Sequence, residues 1–146
     1  MMKKTDPPIV IQESFNTSKE VVWRAITDPS EMTQWFFDNI PDFEPRIGFR
    51  TQFVVKNSDR IFTHSWAVSE VIENKKLTLN WKYLEYAGDA IVTFSLQKKE
   101  NFVELKLEMK ILEDFPDHIP EFTRQSCIGG WNYFIKEQLK GYLSNK

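Results

Sequence analysis

Between Phe49 and Lys110, apolar and polar side chains change places residue by residue, in one segment after another. The clearest segment is the last, where Val103, Leu105, Leu107 and Met109 alternate with Glu104, Lys106, Glu108 and Lys110. Successive side chains of a strand point to opposite faces, so a period of two means one face buried and one wet. The same parity puts Leu77, Leu79, Trp81 and Tyr83 on one face, with Thr78, Asn80 and Lys82 on the other. Phe49, Thr51, Phe53 and Val55 alternate with Arg50, Gln52 and Lys56; Arg60 to Ile72 and Ala90 to Gln97 complete the series. Polar turns at residues 73–76, 87–89 and 99–101 join these segments into an antiparallel meander. Such a sheet has one apolar face, and another element must cover it.

The flanks supply the cover. Ile9 to Phe15 predicts a first strand, after a flexible leader over residues 1–8 that ends in Pro7-Pro8. Thr17-Ser18-Lys19-Glu20 has the form of a capping box, with Thr17 as the cap, and opens a short helix carrying Val21, Val22, Ala25 and Ile26. Asp28-Pro29-Ser30-Glu31 opens a second through Met32, Trp35 and Phe36, with a carboxylate cap and proline at the first helical position. The chain closes on a long helix, capped near Asp117, with Ile128, Trp131, Phe134, Ile135, Leu139 and Tyr142 as its apolar stripe. Gly129-Gly130 lies inside that helix, where each glycine costs about 1 kcal/mol relative to alanine. Either the close approach of another backbone or room left for a ligand would offset the cost. The order predicts an α+β helix-grip fold. A curved antiparallel sheet wraps around a long C-terminal helix, two short helices follow the first strand, and residues 9–146 form a single domain.

Charge and composition exclude several functions. Nineteen basic residues against twenty-one acidic ones give a net charge of −2, with no excess to neutralise phosphates, so nucleic acid is not an expected partner. The longest uncharged stretch, Gln125 to Ile135, is far short of a bilayer span, so no membrane insertion is expected. The single cysteine, Cys127, has no internal partner, and a reducing, cytoplasmic compartment is the natural reading. No Walker loop, GxGxxG, GxSxG or HExxH motif occurs, so neither cofactor nor metal is implied. Aromatic residues make up 14% of the chain, and those rings either fill the interior or surround something in it.

Four segments resemble a known family. Glu20-Val21-Val22-Trp23-Arg24-Ala25-Ile26-Thr27-Asp28-Pro29, ending at Trp35-Phe36, is similar to the opening signature of the AHSA1-like proteins, named for the activator of Hsp90 ATPase. These belong to the START-like, Bet v 1-like superfamily. Val68-Ser69-Glu70-Val71 with Leu77-Thr78-Leu79-Asn80-Trp81, then Val92-Thr93-Phe94-Ser95-Leu96, resemble its central strands. Gly130-Trp131, Leu139 and Tyr142-Leu143 resemble its last helix. Two positions depart from the pattern: Thr17-Ser18 stands where the family often has proline, and Trp66 where a glycine is common. The eukaryotic co-chaperone's additional N-terminal domain has no counterpart here, so the family name is not read as the activity.

The resemblance implies a binding protein for a small hydrophobic or lipid-like molecule, held between sheet and terminal helix. The cavity-lining candidates are Trp35, Phe53, His64, Trp66, Trp81, Tyr83, Phe94, Ile128, Trp131 and Phe134. Parity allows only one of Asn80 and Tyr83 to point inward. Two alternatives stand beside it: a cyclase- or aromatase-like enzyme acting on a polyketide-type substrate, and a chaperone accessory module. A homodimer is a further partner left open. No catalytic residue is assigned, because no second acid or base is placed by spacing beside His64. Glu113, Asp114, Asp117, His118 and Glu121 follow no metal-ligand spacing and read as helix-start carboxylates. Cys127 reads as a small buried hydrophobe.

Overall fold

The computed structural model describes residues 2–144. Strand β1 (Ile9–Phe15) leads into helices α1 (Lys19–Thr27) and α2 (Pro29–Trp35). Then come β2 (Arg50–Asn57), β3 (Arg60–Ile72), β4 (Lys76–Tyr83), β5 (Asp89–Lys98) and β6 (Val103–Glu113). A short 3-10 turn, Pro120–Phe122, precedes the C-terminal helix α3, which occupies residues 124–144. This is the α+β helix-grip fold that the order of elements predicts.

The six strands form one antiparallel sheet in the order β1-β6-β5-β4-β3-β2. The meander accounts for β2 to β6, and β1 returns to pair with β6, Ile11 opposite Leu107. Register follows the apolar parity: Phe53 faces His64, Trp66 faces Trp81, and Phe94 faces Leu107. Register shifts occur between Val68 and Glu70 and between Asp89 and Ala90. Bulges of this kind bend the strands that carry them. At the β4–β5 turn Gly88 has φ +119, and a Cβ there would meet the Phe115 ring at 2.4 Å. Only glycine fits a backbone that is both left-handed and pressed against a ring.

The helix starts differ in detail from the sequence pattern. Ser18, not Thr17, caps α1, accepting from the Val21 amide at 3.2 Å. Asp28 caps α2 as the pattern requires, accepting from the Ser30 amide at 2.9 Å. The terminal helix begins later than Asp117: Thr123 is its cap, accepting from the Ser126 amide at 3.1 Å. Pro120 sits in the separate 3-10 turn, and extended backbone at Thr123 divides the two elements. Within α3, Trp131, Ile135, Leu139 and Leu143 are buried. Four residues overshoot an α-helical turn by about 40°, so such a stripe would drift around the helix. The wider, π-type stretch Tyr133–Leu139 undershoots and brings the stripe back to the sheet.

Residue 1 of the segment read as a flexible leader lies outside the described residues, and Met2, Lys4, Pro7 and Pro8 contact the rest of the fold. Met2 is buried, and its carbonyl accepts from the Phe115 amide at 3.0 Å. Asp114 accepts from the Lys4 amide at 2.8 Å, and the Arg124 guanidinium donates to the carbonyls of Pro7 and Pro8. Periodicity has no hold on so short a polar stretch; its order comes from contacts more than a hundred residues away in sequence.

Candidate functional site

Sheet and α3 do not close on each other everywhere. Between them lies a cavity of about 660 Å³. The sheet side is built by Phe62 and His64 of β3, Trp81 and Tyr83 of β4 and Met109 of β6, all on the inward parity of their strands. The helix side is Cys127, Gly130, Trp131 and Phe134, and Phe37 comes in from the loop after α2. Met2 and Phe122 also reach the wall.

The ten sequence candidates separate into two groups. His64, Trp81, Tyr83, Trp131 and Phe134 line the cavity. Trp35, Phe53, Trp66, Phe94 and Ile128 lie outside its wall. Trp35 is fully buried between helix and sheet, stacked on Phe36 at 4.6 Å, and donates its indole N–H to the Ala25 carbonyl at 2.7 Å. Phe94 is buried edge-on to Trp131. Trp66 fills space rather than bounding it. It meets Phe53 edge-on at 4.8 Å and Trp81 at 5.0 Å. Its indole Nε1 is the one buried side-chain polar atom without a hydrogen-bond partner among the described residues. That costs about 1–3 kcal/mol where nothing compensates, and surrounding ring faces supply only a weak N–H···π substitute.

Phe37 is one of several wall residues, with Met2, Phe62, Met109 and Phe122, that are absent from the sequence candidates. It lies between the rings of His64, Phe53 and Phe134, at 4.8, 5.1 and 5.0 Å. Neither a period nor a cap places a loop residue, so only its position after Trp35-Phe36 offered a signal. Phe62 and Met109 were accessible through strand parity. Gly130 was accessible too, since its local cost demanded a reason. A Cβ built at Gly129 or Gly130 meets nothing within 4 Å. Close backbone approach is therefore not the reason, and Gly130 instead borders the cavity.

The polar groups inside are few, and burial decides their state. His64 is only 5% exposed, and burial pushes its imidazole down to about 4, so it is neutral at pH 7. Its Nδ1 lies 3.1 Å from the Phe62 carbonyl. Burial pushes the Tyr83 phenol up; the hydroxyl oxygen accepts from Trp81 Nε1 at 2.9 Å. The Cys127 thiol is pushed up to about 12 by burial, and it lies 3.4 Å from the Met109 sulfur. Asn80 is on the other face, bonded to Asp89 at 2.6 Å. At the rim, Glu121 is clamped by Arg60, Nε to Oε1 at 2.8 Å and Nη2 to Oε2 at 2.9 Å, with Asn57 adding a third bond at 2.6 Å. The acidic cluster before α3 is thus dispersed, with Asp114 holding the leader and Glu121 the β2–β3 hairpin. Among the described residues no three His, Cys, Asp or Glu side chains gather as metal ligands. Nor does any described helix have the length and apolarity to cross a membrane.

Fold and cavity together define a helix-grip domain with a ring-walled interior space. The family model "Activator of Hsp90 ATPase homolog 1-like protein" matches residues 16–144, and the chain belongs to that family. No curated protein matches it. Among solved structures it is similar to protein CV1439 from Chromobacterium violaceum, at 20% identity and TM-score 0.76, covering 93% of this chain and 96% of that one. The Aha1 dimer from Colwellia psychrerythraea is similar at 17% identity and TM-score 0.72, covering 94% and 96%. DynU16, from the dynemicin biosynthetic locus, is similar at 21% identity and TM-score 0.71; the match covers 96% of this chain but 46% of that protein. At these identities the likeness is one of fold.

Proposed function

We propose that the chain binds a small, largely apolar molecule, aromatic or lipid-like, between the sheet and α3. The observation that carries this reading is the cavity of about 660 Å³ walled by rings. Protein interiors are close-packed, with few voids larger than a water. Ligand sites are spaces of roughly 300–1,000 Å³, mostly apolar, with a few polar groups that fix orientation. The glycine at 130 supports the same reading, because it keeps a helix face clear at a cost to the helix.

The state of the ionisable groups favours binding over catalysis. A general acid or base works best with a pKa near the operating pH. His64 is held well below that range, while Tyr83 and Cys127 are held well above it. The polyketide-enzyme alternative would need at least one group poised between them.

Titration with Nile red tests the proposal. Saturable one-to-one binding with blue-shifted emission is expected, with displacement by a competing apolar molecule. A flat titration, together with a native mass spectrum of the purified protein that shows no retained small molecule, would refute it.

A further inference from the structure

The binding reading leaves the ligand's polar chemistry open, and the inner wall narrows it. His64 and Tyr83 are cross-strand partners on β3 and β4, with ring centroids 4.8 Å apart in an edge-to-face arrangement. Both line the cavity. A carbonyl only accepts, so the contact between His64 Nδ1 and the Phe62 carbonyl puts the imidazole hydrogen on Nδ1. The neutral ring then leaves Nε2 as a bare acceptor. An indole N–H only donates, so the Tyr83 oxygen serves Trp81 as acceptor and keeps its own O–H for another partner. Among the described residues nothing else hydrogen-bonds to His64 Nε2 or takes the Tyr83 proton. The sheet side of the cavity therefore presents one acceptor and one donor on neighbouring strands, beside Phe62, Trp81 and Met109, while Lys56, Asn57, Glu121 and Ser126 also belong to the lining.

We infer that the ligand is a hydroxylated aromatic molecule whose hydroxyl group meets the His64–Tyr83 pair. A hydroxyl both donates and accepts, so it satisfies both groups. An ether or ketone accepts from Tyr83 and leaves Nε2 unpaired. A carboxylate brings no donor and must be desolvated where no cation waits. Arg60 is taken by Glu121 at the rim, and Lys56 lies exposed at the mouth. An unpaired buried polar group carries its full desolvation penalty, which makes the discrimination steep. The flat walls of Trp81, Trp131 and Phe134 suit an aromatic body by stacking or edge contact.

This inference rests on the binding reading, and three pyrene probes separate the two. Binding of 1-hydroxypyrene, 1-methoxypyrene and pyrene-1-carboxylate is followed at pH 7 through quenching of tryptophan emission. The hydroxyl compound is expected to bind at least ten-fold more tightly than the methyl ether, with the carboxylate weakest. His64→Phe is expected to bring the hydroxyl-to-ether ratio towards one, while Tyr83→Phe weakens alcohol and ether alike and leaves the ratio standing, in protein whose near-ultraviolet dichroism shows retained packing. Equal binding of alcohol and ether overturns the inference and leaves the binding reading standing. Tightest binding of the carboxylate also overturns it, and moves the recognition to Lys56. Failure of all three probes to bind counts against the binding reading itself, and the inference falls with it.

Discussion

His64 is a titratable group held where its charged form is costly. Its folded-state pKa of about 4 lies below the 6.5 of a free imidazole, so protonation favours the unfolded chain. The stability it contributes is complete above pH 6.5 and is lost as the pH falls towards 4. That difference corresponds to roughly 3 kcal/mol, a large share of the roughly 5–15 kcal/mol that domains of this size possess. Urea unfolding at pH 7.5 and 4.5 is expected to show a smaller acid loss for His64→Phe than for the parent. Carboxylates such as Glu121, held low by its hydrogen bond from Arg60, lose stability over part of the same range in both proteins. The variant-to-parent difference isolates the imidazole, and equal losses would mean that His64 titrates normally. Strand parity puts His64 on one face with Phe62, Trp66 and Val68, yet a half-exposed strand histidine fits the same pattern, and only the structure shows the ring buried. Nor does parity say whether an inward ring fills or bounds. Trp66 and His64 share a face two residues apart, yet one is packed and the other borders space.

The terminal helix shows the same division one level up. Its apolar stripe and glycine pair could be read from sequence, but its start and its pitch could not. Acidic residues and a proline before residue 123 look like a helix beginning, and the chain spends them on a 3-10 turn and a clamp. The π-type stretch follows from keeping Trp131, Ile135, Leu139 and Leu143 against the sheet, a demand that exists only once the sheet is present. Gly130 lets the element's two interests be separated. Gly130→Ala meets open space and is expected to stabilise the fold by up to about 1 kcal/mol, since alanine is the better helix former. Gly130→Leu is expected to retain the fold while weakening Nile red binding at least ten-fold, because the side chain enters the cavity. Thermal denaturation and dye titration read the pair; unchanged binding by the leucine variant would place the ligand elsewhere.

Across the chain as a unit, the N-terminal residues close one side of the cavity. Met2 lines its wall and is held by the Phe115 amide, while Arg124 at the start of α3 grips Pro7 and Pro8. Full burial of a methionine side chain is worth about 1.5–3 kcal/mol. Removing residues 2–7 and retaining an initiator methionine is therefore expected to lower the unfolding free energy by about 2 kcal/mol. Equilibrium urea denaturation measures it, and an unchanged midpoint would return the segment to the status of a leader. Local polarity and Pro7-Pro8 made residues 1–8 read as a flexible leader. The partners of Met2, Lys4, Pro7 and Pro8 lie at the far end of the chain, where no window along the sequence reaches.

Alternation with period two settled the strands, their inward faces and the need for a covering helix, because a pleated backbone converts that period directly into two faces. Aspartate and proline settled the second helix, and the succession of periods and polar turns settled the order of elements. All of these are local consequences of backbone geometry. The cavity is not local. It depends on how closely a curved sheet and a helix approach, and so on the summed volumes of rings from β3, β4, α3 and a loop. No single segment records that sum, so Phe37, Met2 and the packed position of Trp66 emerged only when the layers were brought together.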